Sequence, residues 1–264
     1  ASVAAGIELK HLIEQYKWKG TIRVYGTPAE EGGSGKVYMV RAGLFNDVDA
    51  MVHWHPADEN DTKFDGALAN KSAKFRFYGT AAHASVSPEK GRSSLDAVEA
   101  MDNMVNMMRE HIPSDARVHY VITNGGKAPN VVPDFAEVYY YVRHPNREVV
   151  KQLFERVTKA AQGAALGTET KFDYEIIGGT YDLLLNNTLA AVMQQNLELT
   201  GGVHYTPEEI EFAKKIQASL GYACPPIEKA ARINPLVKVE NSPMGSTDVG
   251  DVSWNVPTVG CRTA

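Results

Sequence analysis

The stretch AKFRFYG, Ala73 to Gly79, reads as a strand, and the elements after it decide the fold. RSSLDAVEAMDNMVNMMREHI, Arg92 to Ile112, reads as a long helix. ARVHYVIT (Ala116 to Thr123) and FAEVYYYVR (Phe135 to Arg143) read as two more strands. NREVVKQLFERVTKAAQGAAL (Asn146 to Leu166) is a second helix, and TKFDYEIIGG (Thr170 to Gly179) a last strand. The order β-α-β-β-α-β is the split arrangement of a ferredoxin-like two-layer sandwich, able to form its own core. The methionines at 101, 104, 107 and 108 fall at helical spacing and are expected to form a core or helix-packing face.

Outward from this unit the text changes. Upstream, Leu9, Leu12, Ile13 and Tyr16 would line one face of a helix. TIRVYG (Thr21 to Gly26) is expected to be a strand, KVYMVRAGLF (Lys36 to Phe45) a helix closed by Gly43, and VDAMVHW (Val48 to Trp54) another strand. Downstream, NTLAAVMQQNLEL and TPEEIEFAKKIQASLG read as helices, the second with Thr206 as N-cap and Pro207 at its first position. The expected fold is therefore an α/β domain with a mostly parallel sheet, residues 1–70 and 185–264, interrupted by an inserted α+β lid and dimerisation domain, residues 71–184. The connections near Asn70 and Asn186 are expected to act as hinges.

Composition narrows the function classes. A net charge of -5 over 264 residues gives no dense basic face, which argues against nucleic acid as a partner. No apolar run approaches the roughly 20 residues of a membrane span, and no signal peptide is evident, so a cytoplasmic location is expected. Cys224 and Cys261 lack a metal-binding or disulfide spacing and are expected to be free, buried thiols. The chain starts without methionine, directly in helix-like text, and stops just after an apolar run. A piece lacking both ends is expected.

Chemistry concentrates in YGTPAEEGGSGK, Tyr25 to Lys36. A carboxylate pair on a strand-end loop, Glu30 and Glu31, can divide its work, one member holding a divalent metal while its neighbour activates a water as general base. A solvated acidic turn is the simpler alternative. His53 and His55 end the next strand and would emerge at the same sheet edge, and imidazole with carboxylate suits zinc, or less selectively manganese or cobalt.

With VDAMVHWHP, GTAAHASVSPEKGRSSLDAVEAM and ITNGGKAPNVVPDFAEVYYYVR coming after it in order, the chain resembles the aminoacylase and carboxypeptidase metallohydrolase family in its amidohydrolase branch. A long insert near residues 202 to 241 fits the same resemblance. The resemblance implies Glu30 as general base, Glu31 and His53 as metal ligands, and His55 as a supporting or alternative ligand. It implies that His83 reaches across a homodimer interface to stabilise the oxyanion in the partner's site. It further implies that Asn130 and Arg143 hold the substrate's carbonyl or carboxylate, and that Asp248, in GSTDVGDVSW, orients or binds a group at the site, with Asp251 a weaker candidate. Arginine's planar fork suits a carboxylate.

Other ligands that the family carries upstream and downstream are absent, so the zinc or manganese site is expected to be incomplete here and the chain inactive on its own. The implied reaction is metal-dependent cleavage of the amide bond of an N-acyl or p-aminobenzoyl amino acid. A dipeptidase or aminoacylase of the same family, and a non-catalytic dimeric binding module, are the alternatives.

Overall fold

The computed structural model describes residues 1–238 and 245–264. The last residues of the 202–241 insert lie outside the described residues.

The inserted unit forms as its periodicities require. Strand β3 (Ala69–Tyr78), helix α4 (Ser94–Met108), strands β4 (Arg117–Asn124) and β5 (Phe135–His144), helix α5 (Arg147–Gly167) and strand β6 (Lys171–Thr180) follow in chain order. The antiparallel sheet runs β4-β5-β3-β6, the strand order of the ferredoxin-like sandwich. Alternate residues of β3 and β5 face the helices, so Phe75, Phe77, Val138, Tyr140 and Val142 are fully buried against Val98, Met101, Val105 and Val157. Both helices start on side-chain caps, Ser93 accepting from the Asp96 N–H and Asn146 from the Glu148 N–H. Of the four methionines, Met101 and Met108 are buried and Met104 packs against the core, but Met107 points outward.

The flanking segments form a second unit with the smaller buried core. It holds helix α1 (Ser2–Tyr16), a helical turn α2 (Glu30–Gly33), helix α3 (Gly35–Arg41), and strands β1 (Met51–Pro56) and β2 (Asp61–Lys63). Helices α6 (Asn187–Thr200), α7 (Pro207–Ser219) and α8 (Val249–Ser253) and strand β7 (Thr258–Thr263) complete it. Strand β7 is central, parallel to β1 and antiparallel to β2. A core of Phe45, Val252 and Val256 joins α3, α8 and the strand ends. Helix α7 starts on a capping box in which Thr206 and Glu209 satisfy each other's backbone N–H groups.

Several expectations are corrected. Thr21–Gly26 forms no strand: it lies exposed except for the half-buried Tyr25, and no neighbouring strand accepts its ladder. The β-branched residues supply propensity, but a strand needs a partner edge. Helix α1 forms but buries none of its residues. Cys224 and Cys261 are free but half-buried. Asn70 sits within β3, paired with Arg143 and Thr180, so the entry to the inserted unit is a sheet strand rather than a loose linker. The exit is also tied down, since the Leu184 N–H donates to Ser253 and the Tyr181 N–H to Asp251.

Candidate functional site

The Glu30 loop is a strained turn held from below. Ala29 and Ser34, on either side of α2, both adopt left-handed backbone (φ 60° and 52°). For residues other than glycine such conformations cost about 1–3 kcal/mol each and persist only where the surroundings impose them. Gly35 permits the tight return, because a Cβ there would come within 2.0 Å of the Pro28 carbonyl oxygen.

The restraint is a buried ion pair. The Lys36 backbone N–H and its ammonium donate to the two carboxylate oxygens of Asp248, each at 2.9 Å, and Asp248 is 1% exposed. Both Asp248 oxygens accept from Lys36, and the pair fixes the first turn of α3 behind Glu30.

His53 lies in a row running across the sheet. Gly260 of β7 pairs with His53 on one side and with Lys63 of β2 on the other. The imidazole occupies the space over this glycine, where a Cβ would approach its Cε1 and Nε2 to 2.4 Å. Burial, with the charges of Lys63, Lys36 and His55, pushes the His53 pKa down to about 4. The ring is therefore neutral near pH 7, the form that ligates metals. Lys63 is also pushed down, chiefly by burial, while Asp65 and Glu30 act to raise it. Lys63 thus lies within electrostatic reach of both His53 and Glu30, and Lys36 within reach of His53.

His55 points to the same face of β1 as His53, is exposed, and engages the Pro56 carbonyl through Nδ1 at 2.7 Å. Glu30 is half-buried and Glu31 exposed. Among the described residues no three His, Cys, Asp or Glu side chains converge where a metal ion could be held. Catalytic metals take three or more protein ligands, so Glu31 and His53, with the groups around them, do not complete a metal site.

The remaining candidates lie on the inserted unit. His83 forms an isolated antiparallel bridge with Val131, the Ala84 N–H donates to the Asn130 carbonyl at 3.0 Å, and the His83 Nδ1 accepts from the Ser85 N–H. His83 and Asn130 are thus exposed side by side on adjoining loops. Arg143 lies on the helix-free face of β5, its guanidinium 5.1 Å from the Tyr141 ring centroid and its Nε buried without a hydrogen-bond partner among the described residues. Among the described residues no hydrogen bond or ion pair joins His83, Asn130 or Arg143 to Glu30, Glu31 or His53. Asp251 serves the seam by accepting from the Tyr181 N–H at 2.9 Å.

Sequence reading missed Lys36 and Lys63. Lys36 stands in the same short stretch as the glutamates, but the carboxylate it pairs with, Asp248, is 212 residues away, so nothing local marks the pair. Lys63 carries no local signal, since only strand pairing places it beside His53.

Residues 69–169 match the peptidase dimerisation domain. Over 99% of its length the chain is 43% identical to a p-aminobenzoyl-glutamate hydrolase subunit of Escherichia coli (strain K12), covering 59% of that protein. It is 30% identical to the Xaa-Arg dipeptidase of Mus musculus over 97% of the chain and 53% of the relative. The chain therefore spans a little over half the length of these curated relatives. The crystal structure of the aminobenzoyl-glutamate utilization protein from Klebsiella pneumoniae shares the fold, with a TM-score of 0.71 at 22% identity, covering 97% of this chain and 61% of that one.

Proposed function

We propose, for a chain that belongs to the family of amidohydrolases and peptidases built around the peptidase dimerisation domain, that it carries part of the active site of an amide hydrolase acting on p-aminobenzoyl-glutamate or a similar N-acyl amino acid. The observation that carries this reading is the Glu30 loop, a strained carboxylate-bearing turn pinned by a buried ion pair beside a neutral histidine. Glu30 takes a proton from the water that attacks the amide carbonyl carbon. As the C–N bond breaks, it returns that proton to the departing nitrogen, leaving a carboxylate and an amine.

Arg143 pairs with the substrate's carboxylate, and Asn130 donates to its carbonyl. His83 serves the site of a second subunit, where a donor aimed at the developing oxyanion contributes strongly. The free edge of β4, with Val121 56% and Ile122 40% exposed, supports association through the inserted unit. A zinc or manganese ion would be held by Glu31 and His53 only with further ligands from outside the described residues, so this chain alone is expected to bind metal weakly and to turn nothing over. Residues 71–184 are proposed as the lid. Among the described residues no helix is long and apolar enough to cross a membrane.

The test is release of p-aminobenzoate by protein of the relatives' length carrying these residues. Glu30→Gln is expected to abolish turnover while metal content stays unchanged, and turnover retained by the variant overturns the general-base role. A dipeptidase is the second reading, favoured by the similarity to the Xaa-Arg dipeptidase. Faster cleavage of dipeptides than of the aryl amide would select it. Absence of turnover on both would favour a binding module.

A further inference from the structure

A cavity of about 400 Å³ opens at the seam between the two units. Strand alternation separates the two sides: Asn70 pairs with Arg143 on the helix-free face, whereas the next residue, Lys71, points to the helix face and lies 4.3 Å from the Phe154 ring centroid of α5. The cationic wall thus lies on the helix face, while Asn70, which also lines the cavity, brings it to the edge of the face assigned to substrate.

Its lining is cationic. Arg41, Lys71, Arg147 and Lys151 line it, with Asp251 as the one carboxylate among the lining residues described. Asp251 already accepts from the Tyr181 backbone, and Glu148, at the rim, pairs with Lys151 at 2.9 Å and with the Arg147 Nε at 3.4 Å. Even with both carboxylates counted, two cations remain in excess.

These cations are also held in place. The Arg147 guanidinium stacks 3.5 Å from the Trp254 ring centroid and 4.6 Å from that of Tyr181, and its Nη1 is buried without a hydrogen-bond partner among the described residues. Lys71 makes no ion pair among the described residues, and burial followed by the charge of Lys151 pushes its pKa down. Two neighbouring ammonium groups and an orphaned guanidinium N–H around one cavity disfavour one another until an anion joins them. A volume of this order suits a small ligand rather than a single water.

We propose that this seam cavity binds a small polyvalent anion of phosphate or polycarboxylate chemistry, held by Lys71, Lys151 and Arg147. Walls from α3 and α8 on one unit and from β3, α5 and β6 on the other place the ligand across the joint. Binding there therefore couples to the angle between the units, and any effect of the anion on the substrate site is matched by an equal effect of substrate on anion affinity.

The test is isothermal titration calorimetry of this chain with inorganic phosphate and, separately, with citrate, at ionic strength held constant with sodium chloride. Saturable binding of one anion per chain is expected, the tighter of the two probes identifying the chemistry. Lys151→Met, at a side chain 51% exposed and so removable without loss of the fold, is expected to weaken binding about tenfold, as is Lys71→Met, on the ordinary worth of one charge-assisted hydrogen bond. Lys159→Met, which removes an exposed cation elsewhere on α5, should leave affinity unchanged. Absence of saturable binding for both probes, or wild-type affinity in Lys151→Met and Lys71→Met alike, would overturn the proposal.

Discussion

Replacing Asp248 by alanine removes both acceptors of Lys36 at once. The ammonium, whose side chain is only 10% exposed, is left in a site built for its partner, and the Lys36 backbone N–H loses its acceptor as well. Breaking a buried pair from one side costs about 3–5 kcal/mol. The loss falls on the flanking unit, whose core is Phe45, Val252 and Val256, rather than on the inserted unit with its separate core. Amide hydrogen exchange followed peptide by peptide is the assay of choice, because it resolves local opening. Protection across residues 30–45 and 246–256 should fall by several orders of magnitude at constant protection in β3, β5 and α5. The double variant Lys36→Met, Asp248→Leu removes the uncompensated charge and should recover most of the loss, leaving the cost of one unsatisfied N–H, about 1–3 kcal/mol. An Asp248→Ala effect below about 1 kcal/mol, below the range expected for a buried pair, or equal loss in both units, would refute the reasoning.

Other consequences arise from buried groups. Asp102, 5% exposed and accepting from the Tyr140 hydroxyl, is pushed up to about 6, chiefly by burial and against the effect of that hydrogen bond. The folded state then holds this proton more tightly than the unfolded chain, whose aspartate titrates near about 3.9. Stability is complete below about pH 4 and falls as pH rises through about 6, by roughly 3 kcal/mol. Asp102→Asn should flatten this window in denaturant titrations and be more stable than the parent at pH 7.5; a less stable variant there contradicts the assignment. Gly260→Ala places a methyl 2.4 Å from two ring atoms of His53. It should displace the imidazole, seen as a changed His53 resonance and a titration moved toward the ordinary histidine range, whereas an unaltered resonance would show that the ring does not occupy that space.

How much of the molecule was legible in the sequence depended on the range of each interaction. Phe75, Phe77, Val138 and Tyr140 announce the inserted sheet because alternation is a property of neighbouring residues, and Ser93, Asn146 and Thr206 announce their helices because a cap acts within three residues. Thr21–Gly26 misled because its residue types favour a strand while only a neighbouring edge could make it one. Glu30, Glu31, His53 and His83 were visible as a motif. The Lys36–Asp248 pair was not, since its members lie 212 residues apart, and neither was the His53–Gly260–Lys63 row, which exists only once three distant strands align.

The central claim, an amide-hydrolysing site in which Glu30 of one subunit works with His83 of another, is tested most directly by subunit complementation in protein of the relatives' length. Glu30→Gln and His83→Ala, each nearly inactive alone, are unfolded together, refolded as a mixture and assayed for p-aminobenzoate release. In a two-fold dimer with shared sites, half of the assemblies are mixed and each of these holds one intact site, so about a quarter of parental activity should return. Activity no higher than that of the separate variants would contradict the shared site.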